Sequence, residues 1–192
     1  MSILAFDIAQ FFPLLNHQLL SLILDKAGFD SKIYSFFSNY LIGRKTQYLW
    51  NDFASPLFNV DVSIEQGYVL SSIILALYIL PIFHIFEKRS KNLNIPISFL
   101  SFVNDRLLIS QEKSFEKTNA LLHCSYNIIL SLLNQFGLII EHRKSEIFHF
   151  SRSYRIFNSS PLDLSLLGGS ILYLKDIWRY LGFIFDRKLS FW

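Results

Sequence analysis

Cysteine is nearly absent from this 192-residue chain. Cys124 stands alone, which excludes an intramolecular disulfide and a cysteine-rich zinc site and fits a reducing compartment. Glycine (7) and proline (5) are scarce, so neither a collagenous repeat nor a Pro/Gly-rich disordered tract is possible. Charge is sparse too, at 17% Asp, Glu, Lys and Arg with a net of +3, an excess too small to define a polyanionic partner by itself. Secretion is not expected, because Asp7 interrupts the first apolar run before it reaches signal-peptide length and no basic segment precedes it. The sequon Asn158-Ser159-Ser160 therefore lacks a secretory context. There is no phosphate-binding loop of the G-x-x-x-x-G-K-[ST] type and no nucleophile turn. His17, His84, His123, His142 and His149 have no spacing that gathers three around a metal. What is abundant is apolar: 52% of the residues are hydrophobic and 17% aromatic, with Phe 20 and Tyr 9. That predicts a large core, and some apolar surface that meets something other than water.

No repeat, low-complexity tract or long linker divides the chain, so residues 1–192 read as a single domain. Ile3–Ile8 is a short apolar run closed by Asp7 and reads as a buried strand. Asn16 can cap a helix through Leu19, Leu20, Ile23 and Leu24 that ends at Gly28, and Asp30 can start a second through Ile33, Phe36, Phe37, Tyr40 and Leu41 that stops at Gly43. Lys45–Trp50 and Leu57–Val62 read as strands around a turn at residues 51–56. A helix is expected from Leu70 to Phe86, with a kink near Pro81. Pro96–Val103 and Leu107–Ser110 form a hairpin whose tip is Asn104-Asp105, followed by a long helix from Phe115 to about Phe136. Strands at Ile147–Phe150, Ile171–Leu174 and Tyr180–Phe185 complete the order β-α-α-β-β-α-β-β-α-β-β-β, an α+β fold with helices against an antiparallel sheet.

Residues 65–87 carry no formal charge between Glu65 and Glu87, so length alone permits a membrane span over Val69–Phe86. Ser71, Ser72, Tyr78, Pro81 and His84 interrupt it, and there is no second such segment. The basic flank at 87–91 suits a span or a solvated helix end equally. A core helix, apolar all round because it is buried, is the reading adopted, with a small protein anchored through 69–86 as the alternative.

Asp7 closes one strand and Asp105 sits at the tip of a later hairpin, each below an apolar run that buries its strand. Side by side on a sheet, two carboxylates are hard oxygen ligands for Mg2+, which clamps phosphate oxygens. Ala5-Phe-Asp-Ile-Ala-Gln-Phe-Phe12, Glu65-Gln-Gly-Tyr-Val-Leu-Ser-Ser72, Phe102-Val-Asn-Asp105, Gly137–Glu146 and Tyr180-Leu-Gly-Phe183 follow one another in order. In that order they resemble the motifs of a reverse transcriptase palm, most closely of the non-LTR retrotransposon type found in fungi. The resemblance runs from about Leu4 to Phe191.

It implies that Asp7 and Asp105 are metal ligands, that the carbonyl of Ile8 is a further one, and that Phe12 packs under the sugar and excludes a 2′-hydroxyl, whereas Phe11 is core. Gln66 and Gly67 match the family's P-Q-G-S-P-L-S-P loop, as do Leu70 and Ser71, and would contact nucleotide or template; glycine permits the close backbone approach. Glu65 and Tyr68 depart from that loop, adding charge and bulk where a triphosphate would lie. Lys144 stands where a lysine protonates the leaving pyrophosphate, and Tyr180, Leu181 and Gly182 belong to the hairpin that grips the primer. Asn104 occupies the place of the first of two aspartates, so one bridging carboxylate is replaced by an amide with no formal charge. Losing about 4 kcal/mol of metal stabilisation lowers the rate roughly a thousandfold.

The implied partners are an RNA template, a DNA primer and a deoxynucleoside triphosphate (dNTP), the implied cofactor is a weakened two-ion Mg2+ site, and the implied setting is intracellular, nuclear or mitochondrial. Arg44, Lys45, Arg143, Lys144, Arg152 and Arg155 can line a groove for a nucleic-acid backbone, though each singly suits a solvated face. The chain opens six residues before Asp7 and closes at Trp192, which by the resemblance leaves no sequence for complete fingers or a thumb. The expectation is a decayed retrotransposon palm with little activity, against the alternative of a non-catalytic nucleic-acid-binding module that keeps the fold.

Overall fold

Strand β1 (Ser2–Ala9) is apolar at nearly every position and buried along both faces, the pattern of a central strand. The computed structural model describes residues 1–60, 62–65, 67, 69–151, 164–166, 171–173, 175 and 177–188. It divides the chain into two compact units, one formed by Met1–Ala9, Ile82–Gln135 and Ile139–Trp192, the other by Gln10–Pro81 with Phe136–Leu138.

In the first unit, β1 pairs antiparallel with β7 (Asp105–Ser110), which pairs in turn with β6 (Ile97–Phe102) at the sheet edge. The other side of β1 is shared. β8 (Ile139–Ile140) pairs with Ile8 and Ala9, and β9 (Glu146–His149) pairs with Ser2–Ala5. Between them lies a 3-10 turn, His142–Lys144. Strand alternation sends Ile3, Ala5 and Asp7 to one face and Leu4, Phe6 and Ile8 to the other. The second face is covered by helix α5 (Phe115–Gln135), with Leu122, Tyr126, Ile129 and Leu133 buried at helical spacing. Phe6 meets Tyr126 edge-on at 5.8 Å between ring centroids, and Phe83 stacks on Phe99 at 4.2 Å. The first face is covered by the hairpin of β12 (Ile177–Tyr180) and β13 (Phe183–Asp186). Trp178 enters a cluster with Ile3, Leu107, Phe148 and Phe150, and stacks on Tyr180 at 4.9 Å. A separate two-stranded pair joins β10 (Leu164–Ser165) to β11 (Ile171–Leu172).

In the second unit, α1 (Phe11–Leu14) is followed by α2 (His17–Lys26) and α3 (Ser31–Leu41). Asn16 caps α2 by accepting the Leu19 N–H at 2.9 Å, and Asp30 caps α3 by accepting that of Lys32 at 2.8 Å. Asn16→Ala should lower stability by about 1 kcal/mol in a urea titration, whereas Asn16→Ser should cost little. Four two-residue strands then form a nested ribbon. β2 (Lys45–Thr46) pairs with β5 (Phe58–Asn59), and β3 (Leu49–Trp50) pairs with β4 (Phe53–Ala54). Tyr48, Leu49, Trp50 and Phe53 are all more than 60% exposed there, in keeping with the apolar surface expected from composition.

Several sequence expectations are corrected. β1 extends one residue beyond the expected Ile3–Ile8 at each end, because Ser2 pairs with Ser110 and His149 and Ala9 pairs with Ile139 in β8, a strand too short to be read from a pattern. The β6–β7 turn is Val103-Asn104, and Asp105 opens β7 instead of sitting at the tip. The strand expected at Tyr180–Phe185 is split by a turn at Leu181-Gly182, with Gly182 at φ 85°. Lys45–Trp50 and Leu57–Val62 break into the short pairs of the ribbon, whose turn sits at Asn51-Asp52. Helix α4 (Val69–Asn92) continues past Phe86 through the charged flank, where Lys91 pairs with Glu87 at 2.8 Å. It is not buried all round. Ser71, Ile74, Leu75, Tyr78 and Ile79 are buried in the second unit and Ile82, Phe86 and Ser90 in the first, while Val69, Ile73 and Leu80 are exposed. By length and composition it is the one helix among the described residues that could cross a membrane; its buried stripe is that of a helix facing a core. The sequon at 158–160, Arg152, Arg155 and Leu174 lie outside the described residues.

Candidate active site

Antiparallel register sets Asp7 directly opposite Asp105. Directly opposed side chains in such a pair share one face of the sheet with Cβ atoms about 5 Å apart, so two like charges are held together by the backbone ladder. The lone interruption in the pairing along the other side of β1 falls where the 3-10 turn replaces a strand. That turn projects Lys144, whose ammonium donates to Oδ2 of Asp7 at 2.9 Å. Glu141 N–H donates to the Asp7 carbonyl at 2.9 Å and pins the start of the turn.

The electrostatics follow from this packing. Burial raises the Asp105 carboxyl above its ordinary value, and the Asp7 charge adds to the shift. The bond to Asp7 raises the Lys144 ammonium. Burial also raises the Tyr180 phenol, with Asp105 contributing. Because Asp105 has a higher pKa folded than unfolded, it contributes stability below its ordinary 3.8, and that contribution is lost as pH rises through the folded value. Asp105→Asn should therefore raise the melting temperature at pH 7, with the gain vanishing below about pH 3.8. A gain independent of pH would contradict the shift.

Arg106, next in sequence, has the largest side chain among the fully buried residues, at 1% exposure. One guanidinium nitrogen, Nη1, donates to the carbonyls of Val103 and Asp105, the latter at 3.0 Å. Burial lowers its pKa to about 10, with Asp105 and Asp7 opposing the shift. Val103 sits at φ 52°, a left-handed conformation that a β-branched residue adopts only under constraint. Arg106 holds that turn from within, and Asn104 is carried on it.

The sequence-chosen residues divide by unit. Asp7, Ile8, Asn104, Asp105, Lys144 and Tyr180, with Leu181 and Gly182, belong to the first. The structure brings Asp7, Asp105, Lys144 and Tyr180 to the wall of one cavity of about 450 Å3. Ile8 pairs with Ile140 in the sheet, and Leu181-Gly182 form the β12–β13 turn. Phe12 and Gly67 belong to the second unit. Phe12 is buried, as is Phe11, and Gly67 is exposed at φ 97°, a conformation that favours glycine. Gln66 and Tyr68 lie outside the described residues. Glu65, expected to bring negative charge, is paired with Arg44 at 2.9 Å, and Arg44 lies 5.2 Å over the Tyr40 ring. Sequence reasoning missed Arg106 and Arg179. A charge inside the apolar run Asp105–Ser110 was the available signal for Arg106.

No group of three acidic, histidine or cysteine side chains fit to hold a metal occurs among the described residues. Oδ1 of Asp7 and Oδ1 of Asn104 are buried without a hydrogen-bond partner among the described residues. The donor set, two facing carboxylates with one orphaned oxygen on Asp7, fits a single hard cation. It does not fit two, because Asn104 brings no charge and Lys144 already holds the other Asp7 oxygen.

An antiparallel sheet with helices on one face and an acidic pair across β1–β7 defines a polymerase-palm type of fold. The family described as Reverse transcriptase (RNA-dependent DNA polymerase) matches residues 1–185, and the chain belongs to it. The structure is similar to apo telomerase from Candida tropicalis (TM-score 0.64, 15% identity, covering 98% of this chain and 32% of that one). It is also similar to telomerase from Candida albicans in complex with a TWJ fragment of telomeric RNA (TM-score 0.55, 15% identity, 98% and 31%). The chain thus spans about a third of the length of these telomerases. No curated protein sequence matches it.

Proposed function

We propose that residues 1–192 are a palm domain of a fungal, non-LTR-type retrotransposon reverse transcriptase, ancestrally a catalyst of RNA-templated DNA synthesis by two-metal nucleotidyl transfer, and strongly impaired as this chain. The observation that carries the reading is the register pairing of Asp7 with Asp105 beside Lys144. In this reading Asp7 and Asp105 hold Mg2+, with the Ile8 carbonyl as a further donor. A bound Mg2+ would withdraw charge from phosphate oxygens. In the same reading Lys144, by the family resemblance, gives a proton to a departing pyrophosphate. By the family resemblance, Phe12, Gln66 and Gly67 are assigned to nucleotide or template, and Tyr180, Leu181 and Gly182 to the primer. The partners are an RNA template, a DNA primer and a dNTP; the TWJ fragment of telomeric RNA bound by the Candida albicans telomerase supports RNA as a partner class. The setting is intracellular.

Asn104 explains the impairment, since it leaves the pair one carboxylate short of a two-ion site. Primer extension on an RNA template with Mg2+ tests the reading: the purified chain should show extension near background. Rapid Mg2+-dependent synthesis by the unaltered protein would refute the impairment.

A further inference from the structure

We propose that Tyr126 and His142 are positioning residues for Lys144: bonded to each other, they fix the orientation of the 3-10 turn that lays the Lys144 ammonium on Asp7. The inference rests on the reading above for what Lys144 does in a reaction, and on packing alone for how it is held.

The turn has little of its own to hold it. It is three residues long, closed by Lys144 N–H donating to the Glu141 carbonyl at 3.0 Å and Ser145 N–H donating to the His142 carbonyl at 3.1 Å. Its start is pinned where Glu141 N–H meets the Asp7 carbonyl. The ion pair cannot do the rest. The Lys144 side chain is 66% exposed, and a pair so open to water contributes too little to orient a backbone segment. A 3-10 turn advances about 120° per residue, so side chains three apart share a side. His142 and Ser145 are accordingly half-buried and buried, while Arg143 and Lys144 are exposed. A roll of the turn by one position would carry Lys144 off Asp7.

Tyr126 sets that roll. It comes from helix α5, is fully buried, and its hydroxyl and Nδ1 of His142 share a hydrogen bond at 2.9 Å. Its ring lies 6.3 Å from that of His142, and it meets Phe6, the residue before Asp7, edge-on at 5.8 Å between centroids. One rigid side chain thus touches both the strand that carries Asp7 and the turn that carries Lys144. Burial pushes the Tyr126 phenol up to about 12, with Ser145 opposing the rise, so the hydroxyl keeps its proton through the neutral range. A hydrogen bond made away from water holds where an exposed ion pair does not, because breaking it leaves a polar group buried and unpaired.

The test treats the full chain with a carbodiimide, which joins a carboxylate to an amine where the two touch, and maps the products by mass spectrometry. Lys144 should link to Asp7 in the unaltered protein. Lys91 and Glu87, paired at 2.8 Å on α4, supply an internal control. Tyr126→Phe and His142→Leu should each lower the Lys144–Asp7 link at least about twofold and speed hydrogen exchange of the Ser145 amide about five- to tenfold. The control link and the circular dichroism spectrum should not change. His142→Asn offers a donor and an acceptor close to the place of Nδ1 and should recover most of the link. Neither readout uses nucleotide, metal or synthesis, so a chain that fails to extend a primer leaves the inference standing, and loss of the link leaves the proposed function to its own test. A Lys144–Asp7 link undiminished in Tyr126→Phe, or a loss in His142→Asn equal to that in His142→Leu, overturns the proposal. A loss shared by the control link reports general unfolding and counts against it as well.

Discussion

Placed in a complete homologous enzyme, Asn104→Asp should raise Mg2+-dependent primer extension by about a thousandfold over the same enzyme with asparagine, the equivalent of about 4 kcal/mol of transition-state stabilisation. The expectation follows from position and charge. Asn104 lies in the two-residue turn immediately before Asp105, and its side-chain oxygen is already buried without a partner among the described residues. Aspartate is nearly isosteric, so the substitution adds one charge beside a carboxylate pair that presently shares its field with Lys144. In the absence of metal the new charge is unfavourable and should lower the melting temperature, and Mg2+ should restore it. A variant that gains stability from Mg2+ without gaining extension would separate metal binding from chemistry. Equal rates for the two proteins would show that the amide is not what limits this site.

The second large effect is structural. Arg106→Ala should destabilise the chain by about 3–5 kcal/mol, read from the midpoint of a urea transition. The substitution empties the space of the largest fully buried side chain and removes the hydrogen bonds that hold the carbonyls of Val103 and Asp105. Val103 then keeps its left-handed backbone with less to enforce it. Arg106→Lys keeps the charge but not the planar fork and should recover only part of the loss. Val103→Gly, by relieving the turn, should compensate part of Arg106→Ala. A loss below about 1 kcal/mol would mean that the guanidinium is a passenger.

Much of this site was legible in the residues themselves. The apolar run ending at Asp7 and the hairpin carrying Asp105 are local patterns, and strand alternation with an antiparallel partner suffices to bring such acids to one face. The resemblance carried by Asp7, Gln66-Gly67, Asn104-Asp105, Lys144 and Tyr180–Gly182 named the family that matches residues 1–185. The helices were equally plain, because Asn16 and Asp30 are caps and Leu20, Leu24, Phe37 and Leu41 recur on one face.

What was not legible depends on distant partners. β8 is two residues long and exists only because β1 offers an edge beyond Asp7. The Lys144 contact depends on the 3-10 turn that β8 and β9 frame, which no periodicity announces. Trp178 and Arg179 sit on adjacent positions of β12, one buried in the cluster and the other exposed on the cavity wall, an assignment set by which face of the sheet the hairpin covers. Glu65 was read as an added negative charge, yet its partner Arg44 lies on a segment far from it in sequence and offsets that charge. Arg106 was passed over because a charge in an apolar strand looks like a solvated exception until its burial is known.

Calorimetric titration of Mn2+ into the unaltered chain and into Asn104→Asp tests the central claim most directly, that Asp7 and Asp105 form a carboxylate pair lacking its third acid. The account predicts weak uptake of a single ion by the unaltered protein and at least about tenfold tighter binding by the variant, with both abolished by Asp7→Asn. Identical affinities in the two proteins, or binding that survives Asp7→Asn, would contradict it.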